Sequence, residues 1–151
     1  MTNQNKLIYP IGVVAKILDI SVHTIRLYER EGLLLVCKTE TGRRIFSEKD
    51  IERLRCIRKM ILEKGLNIQG IKKILSFIPC WRLNPNCSAK DYKECVAYQQ
   101  AQAPCWALPE KPSLCEKADC YTCPVYNLPI DCNNIKQLFH DENYQPELNI
   151  K

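Results

Sequence analysis

Residues 11–33 read IGVVAKILDISVHTIRLYEREGL, and this stretch predicts two short helices joined by a tight turn. Ser21 suits the N-cap of the second helix, because its side-chain oxygen can accept a backbone N–H. Ile25 and Tyr28 lie three residues apart on one apolar face, which is expected to pack against the first helix. Gly32 follows as a residue that ends the helix. The pattern is typical of a helix-turn-helix, whose second helix enters the major groove of DNA.

A small basic hairpin and two further helices are predicted after this stretch. Residues 33–37 are expected to form a strand that pairs with residues 44–46, with Gly42 in the turn because it can take a positive φ. Residues 47–64 predict a third helix that begins with a serine N-cap, and residues 67–78 predict a fourth. Apolar side chains three to four positions apart indicate the core of both helices: Ile51, Leu54, Ile57, Ile61, Ile68, Ile71, Leu75 and Ile78.

Several motifs in a fixed order carry a family resemblance. Residues 25–29 (IRLYE), 31–33 (EGL) and 43–47 (RRIFS) resemble the signature of the MerR (mercury-resistance regulator) family of bacterial transcription factors. Residues 65–71 (GLNIQGI) further resemble the branch that contains the heat-shock repressor and the glutamine-metabolism regulators. The resemblance covers about residues 7–78. It implies a winged helix-turn-helix of four helices with a small β-hairpin as its wing.

The resemblance also implies which side chains contact DNA. In the family, the arginine and tyrosine at the positions of Arg26 and Tyr28 contact the DNA backbone. Arg43 and Arg44 lie at the wing tip, where guanidinium groups can hold phosphates through forked hydrogen bonds. Phe46 stands where the family often has tyrosine. Each of these side chains also has an ordinary interpretation as a packed or solvated residue. The predicted DNA-contact set is Ser21, His23, Thr24, Arg26, Tyr28, Arg43, Arg44 and Phe46.

Charge divides the chain into two halves. Residues 1–78 carry 15 Lys and Arg against 8 Asp and Glu, a net +7, whereas residues 79–151 carry 7 against 9, a net −2; together they give the chain's +5. A basic half suits a polyanionic partner such as double-stranded DNA. No stretch resembles a secretory signal or approaches the roughly 20 apolar residues of a membrane span. We therefore expect a cytoplasmic protein that contacts no membrane and whose thiols stay reduced.

Eight of the ten cysteines lie in residues 80–132 and follow an internal duplication. The motif PCW at residues 79–81 recurs 25 residues later. Cys87 recurs 28 residues later, as does the cysteine-to-tyrosine spacing of residues 95–98. A repeated unit implies a repeated structural role. The segment resembles cysteine-rich modules with two such Cys-Trp pairs that recur in bacterial proteins, often of anaerobes.

Metal binding is the favoured interpretation of this cysteine-rich segment. It is short of aliphatic residues, and thiolate ligation of a metal would supply the missing folding energy. Because no histidine lies between residues 80 and 132, an all-thiolate iron–sulfur cluster is favoured. Structural zinc is the alternative, since Cys120 and Cys123 have a spacing common in zinc sites. Disulfides or a metal-free thiol switch form a third interpretation. The predicted ligands are Cys80, Cys87, Cys95, Cys105, Cys115, Cys120, Cys123 and Cys132.

The sequence thus predicts a mainly α protein with three parts. Residues 1–78 form the winged helix-turn-helix, residues 79–132 a small metal-stapled module, and residues 133–151 a short helix and tail. Cys37 and Cys56 lie outside the repeat and are assigned to packing or the surface. The family continues from its fourth helix into a long dimerisation helix, but here Pro79 breaks the chain at that point, so a homodimer stays an open prediction.

The favoured function is sequence-specific DNA binding for transcriptional regulation, with sensing of redox state, oxygen or metal through a thiolate-ligated centre. No catalytic constellation is apparent, so the protein is not expected to be an enzyme. Two alternatives stay open. One is an excisionase-like DNA-binding protein with a purely structural zinc module. The other is a thiol redox or electron-transfer protein that uses Cys120 and Cys123 as its redox pair.

Overall fold

The computed structural model describes residues 6, 8–84, 92–110, 115, 119–128 and 132. The chain divides into two compact units, Met1–Ile71 and Lys72–Lys151, so the boundary precedes the predicted one at residue 78. The described residues form mainly helices with one small antiparallel sheet, which confirms the predicted fold class. In these residues no helix combines the length and the apolar character needed to cross a bilayer.

The first unit contains the predicted helices, with the hairpin between the second and the third. Its elements are β1 (Tyr9–Pro10), α1 (Ile11–Leu18), α2 (Val22–Arg30), β2 (Cys37–Lys38), β3 (Arg44–Phe46), α3 (Glu48–Leu62) and α4 (Ile68–Ser76), of which the last continues past residue 71.

The sheet of the first unit has the order β1-β3-β2, and both of its pairings are antiparallel. The pairing of β3 with β2 confirms the predicted wing, but the predicted strand at residues 33–37 was too long, because only Cys37 of that range is in a strand. Leu33 and Leu34 are instead buried outside any strand. Their apolar side chains pack into the core although their backbone belongs to no strand. Burial of a side chain does not require backbone hydrogen bonds to a neighbouring strand.

Local capping residues place the helix ends where the sequence predicts them. Ser21 Oγ accepts a hydrogen bond from Thr24 N (3.0 Å), so α2 begins at the predicted N-cap. Gly32 has a φ of +75° just after α2, as predicted for a helix-ending glycine. Before α3, Asp50 N donates to Ser47 Oγ (3.3 Å) and Ser47 N donates to Asp50 Oδ2 (2.7 Å). This reciprocal pair is a capping box.

The core of the first unit is formed by the apolar faces of its helices and the hairpin. Ile61 was wrongly predicted as a core residue, because it is half-buried whereas the neighbouring Met60 is 2% exposed. Helical periodicity of 3.6 residues moves the buried face by one position near the end of α3. The buried hydrophobic residues of this unit are Val14, Ala15, Leu18, Ile25, Tyr28, Leu33, Leu34, Phe46, Ile51, Leu54, Ile57, Met60 and Ile71.

The second unit consists of short helical segments in its described part. They are α5 (Cys80–Leu83), α6 (Val96–Gln100) and 3-10 turns at Tyr92–Glu94, Cys105–Ala107 and Cys120–Thr122. The short helix predicted after residue 132 lies outside the described residues.

Candidate nucleic-acid interface and cysteine-rich repeat

The outer face of α2 presents polar side chains that the core does not use. His23, Arg26 and Arg30 are exposed on this helix, whereas Ile25 and Tyr28 are buried against the rest of the unit. The helix therefore has the two faces that a DNA-recognition helix requires, one for packing and one for a partner.

The N-terminal end of α2 carries two of the predicted contact residues. The Ser21 and Thr24 side-chain oxygens lie 2.9 Å apart and share a hydrogen bond. Ser21 is exposed and Thr24 is half-buried. Because both hydroxyls already serve the helix cap, their first role in this structure is to hold the start of the helix, and DNA contact by them stays a prediction.

The wing tip is a hydrogen-bonded turn that carries an exposed arginine. Thr39 N donates to Arg43 O (2.9 Å), and Gly42 N donates to Thr39 O (2.9 Å). Arg43 N in turn donates to Thr39 Oγ1 (3.1 Å). Gly42 has a φ of +80°, a conformation that favours glycine. The turn therefore fixes the backbone of Arg43 while its side chain remains exposed, as the predicted phosphate contact requires.

Arg44 lies in a different environment from Arg43. Its Nε donates to Glu29 Oε2 at 2.6 Å, and the two side chains are only 26% and 21% exposed. This ion pair joins the last turn of α2 to the wing strand β3. Sequence reasoning missed the pair, because two opposite charges 15 positions apart meet only once the hairpin has folded. Phosphate contact by Arg44 stays a prediction for its other N–H groups.

Two aromatic residues of the predicted contact set belong to the core. Phe46 is 0% exposed, so the predicted DNA contact by its side chain is wrong: it lies opposite Tyr9 in the sheet. Tyr28 is 6% exposed, and burial raises the pKa of its hydroxyl while the charge of Arg58 partly lowers it. DNA contact by Tyr28 stays a prediction. An aromatic residue in the family motif thus specifies packing in the protein core as readily as contact with DNA.

β1, which the sequence did not predict, is tied to α3 as well as to the sheet. Tyr9 Oη donates a hydrogen bond to the Glu48 carboxylate. This hydrogen bond is the first cause of the raised pKa of Tyr9, followed by burial and the negative charge of Glu48. This hydrogen bond holds β1 beside the first turn of α3.

The internal duplication predicted in the second unit is accompanied by repeated geometry in the described residues. Trp81 and Tyr98 pack edge to face, with ring centroids 5.2 Å apart and an interplanar angle of 84°. The equivalent Trp106 and Tyr126 pack in the same way, at 5.1 Å and 88°. Edge-to-face packing is a favoured arrangement of aromatic rings. Each copy of the repeat is therefore built around one tryptophan–tyrosine pair.

The backbone around the third cysteine of each copy, Cys95 and Cys123, repeats as well. Cys95 O accepts hydrogen bonds from Tyr98 N and Gln99 N, and Cys123 O accepts one from Asn127 N (3.0 Å each). A 3-10 turn precedes each of the two cysteines, at Tyr92–Glu94 and Cys120–Thr122. These turns are 28 residues apart, the same interval that separates the cysteines.

The thiols of the two copies lie close enough to influence one another. Burial raises the pKa of Cys105 to about 12, and the neighbouring charges of Cys80, Cys123, Cys115 and Cys120, in that order, add to the effect. A thiol in this environment stays protonated near neutral pH.

Cys115 has a polar partner, the side chain of Asn84. Its pKa is raised by burial and then by the charge of Cys123, and it is lowered by a hydrogen bond from Asn84. Asn84 Nδ2 lies 3.3 Å from Cys115 Sγ, and Asn84 is 7% exposed. A buried amide therefore favours negative charge on this sulfur.

The predicted metal centre is not assembled in the part of the chain that the structure describes. There, no group of three or more His, Cys, Asp or Glu side chains is placed to hold a metal ion. Cys132 is disulfide-bonded, so it offers no thiolate until it is reduced. Cys56 is also a disulfide cysteine, which corrects its assignment to simple packing. Cys87 lies outside the described residues. Iron–sulfur or zinc ligation stays a prediction.

Comparison with known proteins identifies the first unit. Residues 9–78 match the MerR HTH family regulatory proteins. Residues 9–78 are a MerR-type helix-turn-helix domain. This result confirms the family resemblance inferred from the motifs, and it includes all the predicted DNA-contact residues within the MerR-type domain.

Curated relatives match over the MerR-type domain. The transcriptional regulator GlnR of Bacillus anthracis is 40% identical over 68 residues, which are 45% of this chain and 52% of GlnR. The putative heat shock protein HspR of Streptomyces coelicolor is 35% identical over 68 residues, 45% of each chain. The transcriptional regulator ZntR of Escherichia coli is 35% identical over 69 residues, 45% of this chain and 48% of ZntR. The chain thus spans about half the length of the curated relatives it matches.

One solved structure is similar over the same part of the chain. It is HiNmlR, a MerR family regulator lacking the sensor domain, bound to promoter DNA. The match has 33% sequence identity and a TM-score of 0.41, and it covers 43% of this chain and 52% of HiNmlR.

Proposed function

We propose that the protein is a transcriptional regulator whose MerR-type domain binds operator DNA. The observation that carries this proposal is the pair of exposed basic elements in the domain, Arg26 on the outer face of α2 and Arg43 at the ordered wing tip. The net charge of +7 in residues 1–78 supports it, and so do the regulator names of the relatives.

Each basic group has a separate role in this proposal. Arg26 and Arg43 bind phosphates of the DNA backbone, which sets the position of the domain without reading sequence. His23 reads base edges from the exposed face of α2. Arg44 holds the wing against α2 through Glu29, so that the wing and the helix engage the duplex together.

The test begins with selection of a preferred duplex from a random library by the full chain. Fluorescence anisotropy then measures the affinity of Arg26→Ala/Arg43→Ala for that duplex over a range of salt concentrations. We expect the slope of log K against log salt to fall by about 2, since each lost phosphate contact removes about 1. The control is Arg82→Ala, which removes an exposed arginine from the second unit. Equal slopes for the double variant and the control would contradict the proposal.

The second unit is proposed to sense the redox state through its thiols. The support is the mutual influence of its cysteines and the close spacing of Cys120 and Cys123. In this proposal a peroxide oxidises the two thiols to one disulfide and is itself reduced to water, with the two thiol protons passing to its oxygens.

Two measurements test the sensing proposal. The first compares the DNA affinity of reduced and peroxide-treated chain for the wild type and for Cys120→Ser/Cys123→Ser, with Cys37→Ser as the control. An affinity ratio that survives in the double variant would refute this pair as the sensor. The second is elemental analysis and visible absorbance of protein purified without air. Iron with sulfide would support the cluster prediction, and zinc would support the alternative cofactor.

Measurements on the same protein preparation test the excisionase-like and homodimer predictions. Sedimentation of the chain with and without the selected duplex gives the number of chains bound per site. Colourless, oxygen-indifferent protein that contains zinc would favour the excisionase-like alternative.

A further inference from the structure

The second unit contains a cavity of about 210 Å³ between the two copies of the cysteine repeat. Trp81 and Tyr98 line it from the first copy, and Trp106 and Val125 line it from the second. Leu75 and Phe77 complete an apolar wall on the side of α4. Trp81 of the first copy and Trp106 of the second therefore line one shared space, although each tryptophan packs against a tyrosine of its own copy.

The wall of this cavity is apolar and carries little charge. Among the described lining residues, the sulfur groups are Cys80 and Cys105, and no carboxylate, ammonium or imidazole is present. A charged ligand would lose its hydration here without gaining a partner of opposite charge, which is costly.

The side chain of Lys73 contacts two residues of the cavity wall. Lys73 Nζ donates to Ala101 O at 2.7 Å and lies 5.5 Å from the centre of the Phe77 ring. Ser76 Oγ donates to the same carbonyl at 2.8 Å. These contacts satisfy the Ala101 carbonyl, so this part of the wall has no strong need for a polar ligand group.

We propose that the cavity binds a small, uncharged aromatic molecule of one or two rings. A dry cavity of about 150 Å³ is enough to hold benzene, so the observed volume admits a ring with a substituent or a fused second ring. Four aromatic side chains in the wall offer ring edges and faces, and aromatic pairs gain stabilisation beyond burial alone. This inference does not rest on the proposed DNA binding, because the walls belong entirely to the second unit.

The chain carries its own reporter for this site. Its two tryptophans, Trp81 and Trp106, are both wall residues. Toluene is the probe, added to the full reduced chain, with the tryptophans excited at a wavelength that toluene does not absorb. We expect a saturable change in emission, and a rise of the thermal midpoint with toluene concentration. Benzoate and benzylammonium should bind at least about tenfold more weakly, a difference of about 1.4 kcal/mol.

Filling the cavity should abolish the binding. Ala97 lines the cavity and is 7% exposed, so Ala97→Leu is expected to occupy ligand space and to weaken toluene binding at least about tenfold. The control is Ala103→Leu, which adds the same atoms at a half-buried position that is not among the wall residues. Unchanged toluene affinity in Ala97→Leu, or absence of saturation in the wild type, would overturn the proposal. Benzoate binding more tightly than toluene would overturn the assigned ligand class.

A second variant keeps the inference testable if Ala97→Leu does not fold. Val125→Ala removes two carbons from the wall and enlarges the cavity. We expect its affinity ratio of naphthalene to toluene to rise at least about fivefold over the wild type, because the larger ring system then fits. A ratio that stays the same would show that this cavity is not where the probes bind.

Discussion

The ion pair between Arg44 and Glu29 holds the wing against α2, and its coupling free energy can be predicted from its geometry. The two charged atoms lie 2.6 Å apart, and about three-quarters of each side chain is buried. Exposed ion pairs contribute up to about 1 kcal/mol, and hydrogen bonds to charged groups about 1.5–3 kcal/mol. Since solvent still reaches both groups, we expect a coupling free energy of about 1–1.5 kcal/mol in a double-mutant cycle.

The cycle uses Glu29→Ala, Arg44→Ala and the double variant, with the free energy of unfolding from urea titration followed by far-ultraviolet circular dichroism. The matched control is the pair Lys59 and Glu63, whose charged atoms lie 4.0 Å apart with 36% and 62% exposed side chains. That pair should couple by only about 0.3 kcal/mol. A coupling for Arg44 and Glu29 no larger than that of the control would refute the reasoning.

DNA affinity separates bracing from direct phosphate contact. If Arg44 acts through Glu29, both single variants weaken binding to the selected duplex by a similar factor, because each releases the wing from α2. If Arg44 instead binds phosphate, Arg44→Ala weakens binding, whereas Glu29→Ala strengthens it by removing a negative charge near the backbone. Opposite signs for the two variants would therefore refute the bracing role.

Three further predictions follow from the described geometry. Phe46→Ala should lower the free energy of unfolding by about 3–5 kcal/mol, because Phe46 is fully buried; a loss below 1 kcal/mol in urea titration would contradict this. Gly42→Ala should cost about 1 kcal/mol in the same assay through its φ of +80° alone, since nothing lies within 4 Å of an added Cβ, and an unchanged midpoint would count against it. Cys105 should be the slowest of the described thiols to react with iodoacetamide at pH 8, where a pKa of about 12 leaves about one thiolate in ten thousand; faster labelling than Cys37 in mass spectrometry would refute the burial argument.

Sequence reasoning succeeded where the physical cause is local. Ser21, Gly32 and Ser47 set helix ends through hydrogen bonds or backbone angles within a few residues, and all three occupy the predicted positions. Sequence reasoning failed where the cause is tertiary. β1 forms because Tyr9 pairs with Phe46. The residues around Tyr9 do not predict this pairing, because Phe46 lies far along the chain.

The candidate site shows the same division. The sequence predicted the positions of the second helix and the wing. Burial decides which of their side chains remain exposed to a DNA partner, and Phe46 leaves the predicted contact set because it is buried. In the second unit the spacing of motifs predicted a duplication, and Trp81 with Tyr98 and Trp106 with Tyr126 form two ring pairs of the same geometry. Spacing alone could not predict which thiols come together, because that depends on distances between loops; among the described residues no three potential ligands are grouped to hold a metal ion.

The two copies of the repeat are unequal in one respect that bears on their evolution. Tyr98 is 40% exposed, whereas the equivalent Tyr126 is 4% exposed. Because replacing a buried side chain loses more packing than replacing an exposed one, we expect Tyr126 to tolerate substitution less than Tyr98. Orthologous chains should accordingly replace Tyr98 more often than Tyr126.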